Sequence, residues 1–101
     1  MEMFNPSHPG RILRVHIEDR TTVSALARHL GMSRANLSMI LNGRLGISAS
    51  VAVKLSEAFP NTDARFWLTL QNNYDLAQVR KRKRRKIAPL YTPKPSHAKA
   101  A

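Results

Sequence analysis

Cysteine is absent from this 101-residue chain. That excludes a disulfide framework and a thiolate-bound metal site, and it agrees with the reducing cytoplasm as the expected location. Apolar runs are only a few residues long, so no segment is expected to span a membrane. The opening Met1–Pro6 lacks the charged-then-apolar pattern of a secretory signal. No alternating apolar pattern of the kind strands carry is found, so an all-α chain is expected. With only 4 glycines there is no glycine-rich phosphate loop. The histidines (His8, His16, His29 and His97) show no pair at metal-ligand spacing, and the 6 carboxylates are scattered. No metal, no cofactor and no enzymatic constellation are therefore expected.

Acid is also scarce, and unevenly so. Residues 1–79 hold 8 Lys/Arg against all 6 Asp/Glu, whereas residues 80–101 hold 9 Lys/Arg and no acid. Most of the formal net charge of +11 therefore belongs to the C-terminal segment. A domain over residues 7–79 followed by a basic tail over 80–101 is the organisation this implies. Arg80, Lys81, Arg82, Lys83, Arg84, Arg85 and Lys86 form an unbroken run of cations that repel one another. Beyond it Pro89, Pro93 and Pro95 stand among Ser and Ala with little to bury, so residues 87–101 are expected to be disordered or loosely draped.

Five helices are predicted. Pro9 suits a first helical turn, and Ile12, Leu13, His16 and Ile17 share a face of a helix running to about Asp19, which Gly10 weakens slightly. A second helix starts near Thr22–Ser24, turns Leu26, Ala27 and Leu30 inward, and stops at Gly31, where a left-handed turn is cheap only for glycine. Ser33 caps a third helix from Arg34 to about Asn42, with Leu37, Ile40 and Leu41 inward. Ser48 caps a fourth, carrying Val51, Ala52, Leu55 and Phe59 and ending at Pro60. Asp63 caps a fifth, carrying Phe66, Trp67, Leu70 and Tyr74, with a continuation into the charged stretch left open.

The second and third of these form a helix-turn-helix, the device that lays a short helix in the DNA major groove. Ala27 sits where the two helices must cross closely, Gly31 reverses the chain in few residues, and Leu26, Leu30, Leu37 and Ile40 lock both to a core. The residues left outward are Ser33, Arg34, Ala35, Ser38, Met39 and Asn42, with Asn36 at the margin. Their chemistry suits base edges. Arg34 can pair with guanine N7 and O6, and Asn36 or Asn42 can pair with adenine or reach a phosphate. Ser38 can donate or accept, and Ala35 and Met39 can meet a thymine methyl. Helix starts near Thr22/Ser24 and at Ser48, together with Arg44 in the following loop, are expected to hold the phosphate backbone.

With these residues identified, the chain resembles the phage-repressor-like (Xre) helix-turn-helix superfamily, and within it the HigA-type antitoxins. The resemblance spans about residues 7–79. It rests on His8-Pro9-Gly10, Leu37-Ser38-Met39-Ile40-Leu41-Asn42-Gly43, Ile47-Ser48 and, most specifically, Phe66-Trp67-Leu68-Thr69-Leu70-Gln71-Asn72-Asn73-Tyr74-Asp75-Leu76. It implies a compact five-helix domain. It further implies a homodimer that represses its own operon at an inverted-repeat operator in double-stranded DNA and neutralises a small basic mRNA-cleaving toxin. Two features depart from the family. Arg11 stands where an acid often follows His-Pro-Gly, and the basic tail would repel a basic toxin.

Two stretches keep two readings each. Phe66, Trp67, Leu70 and Tyr74 either cover the core or form a self-complementary dimer interface. The run Arg80–Lys86 is either solvated or makes non-specific phosphate contacts, each of which steepens the salt dependence of binding by about 0.9. A stand-alone regulator on the same fold, and a non-specific nucleic-acid binder acting through the tail, are the alternatives to the antitoxin reading.

Overall fold

Every helix of the computed structural model, which describes residues 6–91, starts on a side chain that accepts a hydrogen bond from its own first turn. His8 Nδ1 accepts from Gly10 N at the start of α1 (Pro9–Ile17), and Thr22 Oγ1 accepts from Ala25 N at the start of α2 (Val23–Leu30). Ser33 caps α3 (Arg34–Leu41) through Asn36 N, and Ser48 caps α4 (Ala49–Ala58) through Val51 N. Asp63 caps α5 (Ala64–Lys81) through Phe66 N at 2.8 Å. Each cap satisfies a backbone donor that has no partner inside the helix and contributes about 1 kcal/mol. Among the described residues, the all-helical, five-helix class expected from the pattern is the one observed.

The ends follow local chemistry. Gly31 takes φ 70° after α2, and Gly43 takes φ 76° after α3. Helix α1 stops at Ile17, short of the predicted Asp19: Glu18 already leaves the helical region at ψ 129°, and Asp19 then takes the left-handed conformation at φ 65°. Asp is one of the few non-glycine residues that tolerates it. At the other end, α5 runs past the expected domain boundary and takes in Arg80 and Lys81. Residues 82–91 lie outside any helix and are exposed, and the part of the expected disorder that falls on 92–101 lies outside the described residues.

The core is drawn from every helix and from one loop residue: Leu13 and Ile17; Leu26, Ala27 and Leu30; Leu37, Ile40 and Leu41; Ile47 in the loop before α4; Ala52 and Leu55; and Trp67. Helix α3 packs against both α1 and α2, while α4 lies along α5. Ala27, on α2, is buried. Trp67 is completely buried. Its indole N–H donates to Thr62 Oγ1 at 2.9 Å, and its ring meets Phe66 edge-on at 5.0 Å and His16 at 5.5 Å. Of the two readings for Trp67, core or interface, its lack of exposed surface places it in the core.

Gly10 also has a role that propensity alone conceals. A Cβ built there would overlap the carbonyl oxygen of Ile40, so α1 crosses α3 at a distance only glycine permits. We expect Gly10→Ala to lower stability by about 1–3 kcal/mol, the range for overpacking a tight contact, although alanine is the better helix former. Urea unfolding measures this directly, and an unchanged or raised midpoint would show that the two helices part at no cost.

Candidate nucleic-acid interface

Helix α3 is two-sided. Leu37, Ile40 and Leu41 are buried, whereas Ser33, Arg34, Ala35, Asn36, Met39 and Asn42 are exposed and Ser38 is half-buried. The predicted outward residues therefore lie on one accessible surface, with Ser38 the most recessed. Arg34 is not free on it. Its Nε donates to Ser24 Oγ on α2 at 2.8 Å. That leaves the two terminal nitrogens pointing away from Nε, the pair an arginine uses end-on against a guanine edge. Ser24, expected as a backbone contact, thus braces an α3 side chain across the turn.

Thr22, Arg44 and Ser48 are exposed as well. Thr22 and Ser48 use their hydroxyl oxygens as caps, and the hydroxyl hydrogen remains available to a phosphate. The electrostatics of the stretch are more one-sided than the domain's small net charge suggests. From Arg20 to Ser56 there is no Asp or Glu at all, against Arg20, Arg28, Arg34, Arg44 and Lys54. The carboxylates stand just outside it, at Asp19 and Glu57. A segment whose fixed charges all have one sign attracts a polyanion at long range.

Several residues that shape this surface carry no local signal in sequence. Gln71 on α5 is buried, accepts from Ile47 N at 2.7 Å through Oε1, and donates to Asp75 Oδ1 at 2.9 Å through Nε2. It fastens the loop that follows α3. His8 supports the same loop from below: its ring lies 3.7 Å from where a Gly43 Cβ would stand and meets Tyr74 edge-on at 4.8 Å. Arg14 on α1 donates to Leu41 O and to Asn42 Oδ1 at the end of α3. The outward apolar residues of α5 are Phe66, Leu76 and Val79, with Leu70 and Tyr74 half-buried. Leu76 and Val79 were not among the expected interface residues. Arg80 to Lys86 are all exposed, as are Ile87, Leu90 and Tyr91 beyond them.

A family model for helix-turn-helix proteins matches residues 13–66, which covers the second half of α1 through the start of α5. Among solved structures, an addiction module antidote protein of the HigA family from Coxiella burnetii is 37% identical, with a TM-score of 0.72 over 76% of this chain and 85% of that one. The chain belongs to the HigA family of helix-turn-helix proteins. Antitoxin HigA of Pseudomonas aeruginosa, solved with the higBA promoter, is another HigA structure it is similar to, at 39% identity and a TM-score of 0.71 over 76% of this chain and 85% of that one. Virulence-associated protein A′ of Dichelobacter nodosus is 44% identical over 92 residues, 90% of this chain and 80% of that protein. The HigA resemblance read from the sequence thus holds. Among the described residues no helix is long and apolar enough to cross a membrane.

The His8 cap makes this HigA-family fold sensitive to pH. Burial pushes His8 below its usual value of 6.5, and the nearby Asp75 carboxylate only partly offsets this. Protonation would also remove the lone pair that accepts from Gly10 N. A histidine depressed in the folded state binds its proton more readily when unfolded, so stability rises with pH there. The His8 contribution is full above about pH 6.5 and falls as the pH drops from there to the lowered folded value. His8→Ser keeps a cap acceptor that does not titrate, and we expect it to flatten this part of the stability–pH profile. A profile unchanged by the substitution would assign the dependence to other groups.

Proposed function

We propose that this protein is a sequence-specific DNA-binding repressor and the antitoxin of a toxin–antitoxin pair, without enzymatic activity, acting in the cytoplasm. The observation that carries the reading is the exposed face of α3, with Arg34 held by Ser24 and no carboxylate anywhere between Arg20 and Ser56. Relatives solved on promoter or operator DNA support it. In this reading Ser33, Arg34, Ala35, Asn36, Ser38, Met39 and Asn42 face the bases, and Arg34 takes a guanine. Thr22, Ser24, Arg44 and Ser48 hold the phosphates on either side.

A homodimer places two such helices in successive major grooves, with half-site centres about 34 Å apart on an inverted repeat. Phe66, Leu70 and Tyr74 supply the self-complementary surface on α5, with Trp67 packing beneath it. The toxin is engaged by the folded domain over 7–79, whose charge is small, rather than by the tail over 80–101, which a basic toxin would repel. The run Arg80–Lys86 adds non-specific phosphate contacts.

Binding to the chain's own upstream DNA, compared with scrambled DNA at several salt concentrations, tests this. Truncation after Lys81 is the informative variant, because it removes the cations that follow α5 and leaves that helix whole. The truncated chain should bind more weakly and with a shallower salt slope, by about 0.9 for each phosphate that is no longer neutralised, yet keep its preference for the operator. Arg34→Ala should lose about 1–3 kcal/mol of discrimination at a single base pair. Equal affinity for operator and scrambled DNA in the full chain and the truncated chain alike would end the repressor reading.

A further inference from the structure

The end of α3 is tied to α1 by one side chain. Arg14 donates from Nε to the carbonyl oxygen of Leu41 at 3.2 Å and from Nη2 to Asn42 Oδ1 at 2.7 Å. Leu41 closes α3, so its carbonyl is one of the acceptors a helix leaves without a partner at its C-terminus. Arginine has donors and no acceptor, so it can approach Asn42 only on the amide oxygen. The orientation of the Asn42 amide follows: Oδ1 faces Arg14, and Nδ2 turns toward Ser38, 3.5 Å from its Oγ. Both partners are exposed, so the arrangement stands on the surface that α3 offers outward.

We propose that Arg14 is a positioning residue that fixes Asn42 as a donor, so that α3 meets an acceptor at its C-terminal end and does not read adenine there. This rests on the reading of α3 as a DNA-binding helix. Pairing an asparagine with adenine needs Oδ1 to accept from N6 while Nδ2 donates to N7. With the guanidinium seated on Oδ1, the adenine amino group would be pressed against other donors. What remains is Nδ2, which suits a phosphate oxygen or an acceptor on a guanine or thymine edge. Arg34, at the other end of the helix, also presents donors alone, with its Nε already bound to Ser24. The two groups stand about 12 Å apart along the helix axis. The half-site that fits α3 therefore offers acceptors at both ends of the footprint.

The first readout needs no DNA. In the full chain, Arg14→Ala should shift the Asn42 side-chain amide resonances, and unmoved resonances overturn the proposal. The second is a double-mutant cycle on operator binding. Arg14→Ala and Asn42→Ala should each weaken binding about fivefold, the scale of one hydrogen bond, and the double variant should be no weaker than Asn42→Ala alone. Arg14→Lys keeps the charge but loses the fork, and should behave as Arg14→Ala does. Effects that multiply in the double variant, or full affinity in Arg14→Lys, overturn the proposal. So does a salt slope that falls by about 0.9 in Arg14→Ala, since Arg14 would then be neutralising a phosphate itself.

Selection from randomised half-sites separates the two acceptor sources. A loss in Asn42→Ala that is uniform across sequences points to phosphate, and relaxed preference for guanine or thymine points to a base edge. Both agree with a donor, whereas relaxed preference for adenine contradicts it. If the unaltered chain shows no preference for its operator, the repressor reading fails, and the amide resonances still decide the orientation of Asn42.

Discussion

The close approach of α1 to the backbone of Ile40 is the constraint on which the exposed surface of α3 depends. Helices of eight residues, such as α2 and α3, are marginal by themselves, because nucleation costs more than so few hydrogen bonds return. Their order comes from packing, and α3 is held from below by α1. Glycine at position 10 lets the two backbones meet at Ile40. That contact seats His8 under Gly43 and brings Arg14 within reach of Leu41 and Asn42. The start of α1 and the end of α3 are thus built as one unit. A rigid-body shift of α1 would disturb a helix cap, a loop and an outward side chain together.

The second support comes from α5. Gln71 fills both its hydrogen-bonding ends, one on Ile47 N and one on Asp75, and leaves little room for a side chain at Gly46. The loop from Gly43 to Ser48 carries Arg44 and delivers the start of α4, so its backbone path decides where both stand on the surface. Trp67, one helical turn before Gln71, anchors the same helix through complete burial and its bond to Thr62. In this way α5 transmits the position of the core to the loop that follows α3. The aromatic Phe66-Trp67 pair is divided in role: one ring faces outward while the other is sealed inside.

What was legible in the sequence was local. Thr22, Ser33, Ser48 and Asp63 cap helices because a short polar side chain can reach back three residues, and that geometry needs no knowledge of the rest of the chain. Gly31 and Ala27 were equally legible, one from backbone freedom and the other from the crowding of two neighbouring helices. The contacts that were not legible join residues far apart: Arg14 with Asn42, Gly10 with Ile40, and Gln71 with Ile47. Propensity gives Gly10 the sign of a defect, and only the partner helix turns it into a requirement. His8 escaped notice as a cap because histidine is not among the usual capping residues. Trp67 could be assigned to core or interface equally well until its depth was known.

The basic run shows how one sequence feature splits into two physical roles. Arg80 and Lys81 complete the last turn of α5, where positive charge complements the exposed carbonyls of a helix C-terminus. Continuing the helix would stack further cations three and four residues apart on one face, which opposes it. The helix therefore ends at Lys81, and the rest of the run, Arg82 to Lys86, follows it without helical structure. These later cations have no intramolecular acid beside them in the chain, since its last carboxylate side chain is Asp75. Their energy on a polyanion comes from releasing counterions and is strong only at low salt. The base contacts proposed for α3 depend instead on hydrogen-bond geometry at short range and would survive screening better. On the proposed reading, salt concentration thus sets the balance between a charged tail that would hold any duplex and a helix that would distinguish one sequence from another.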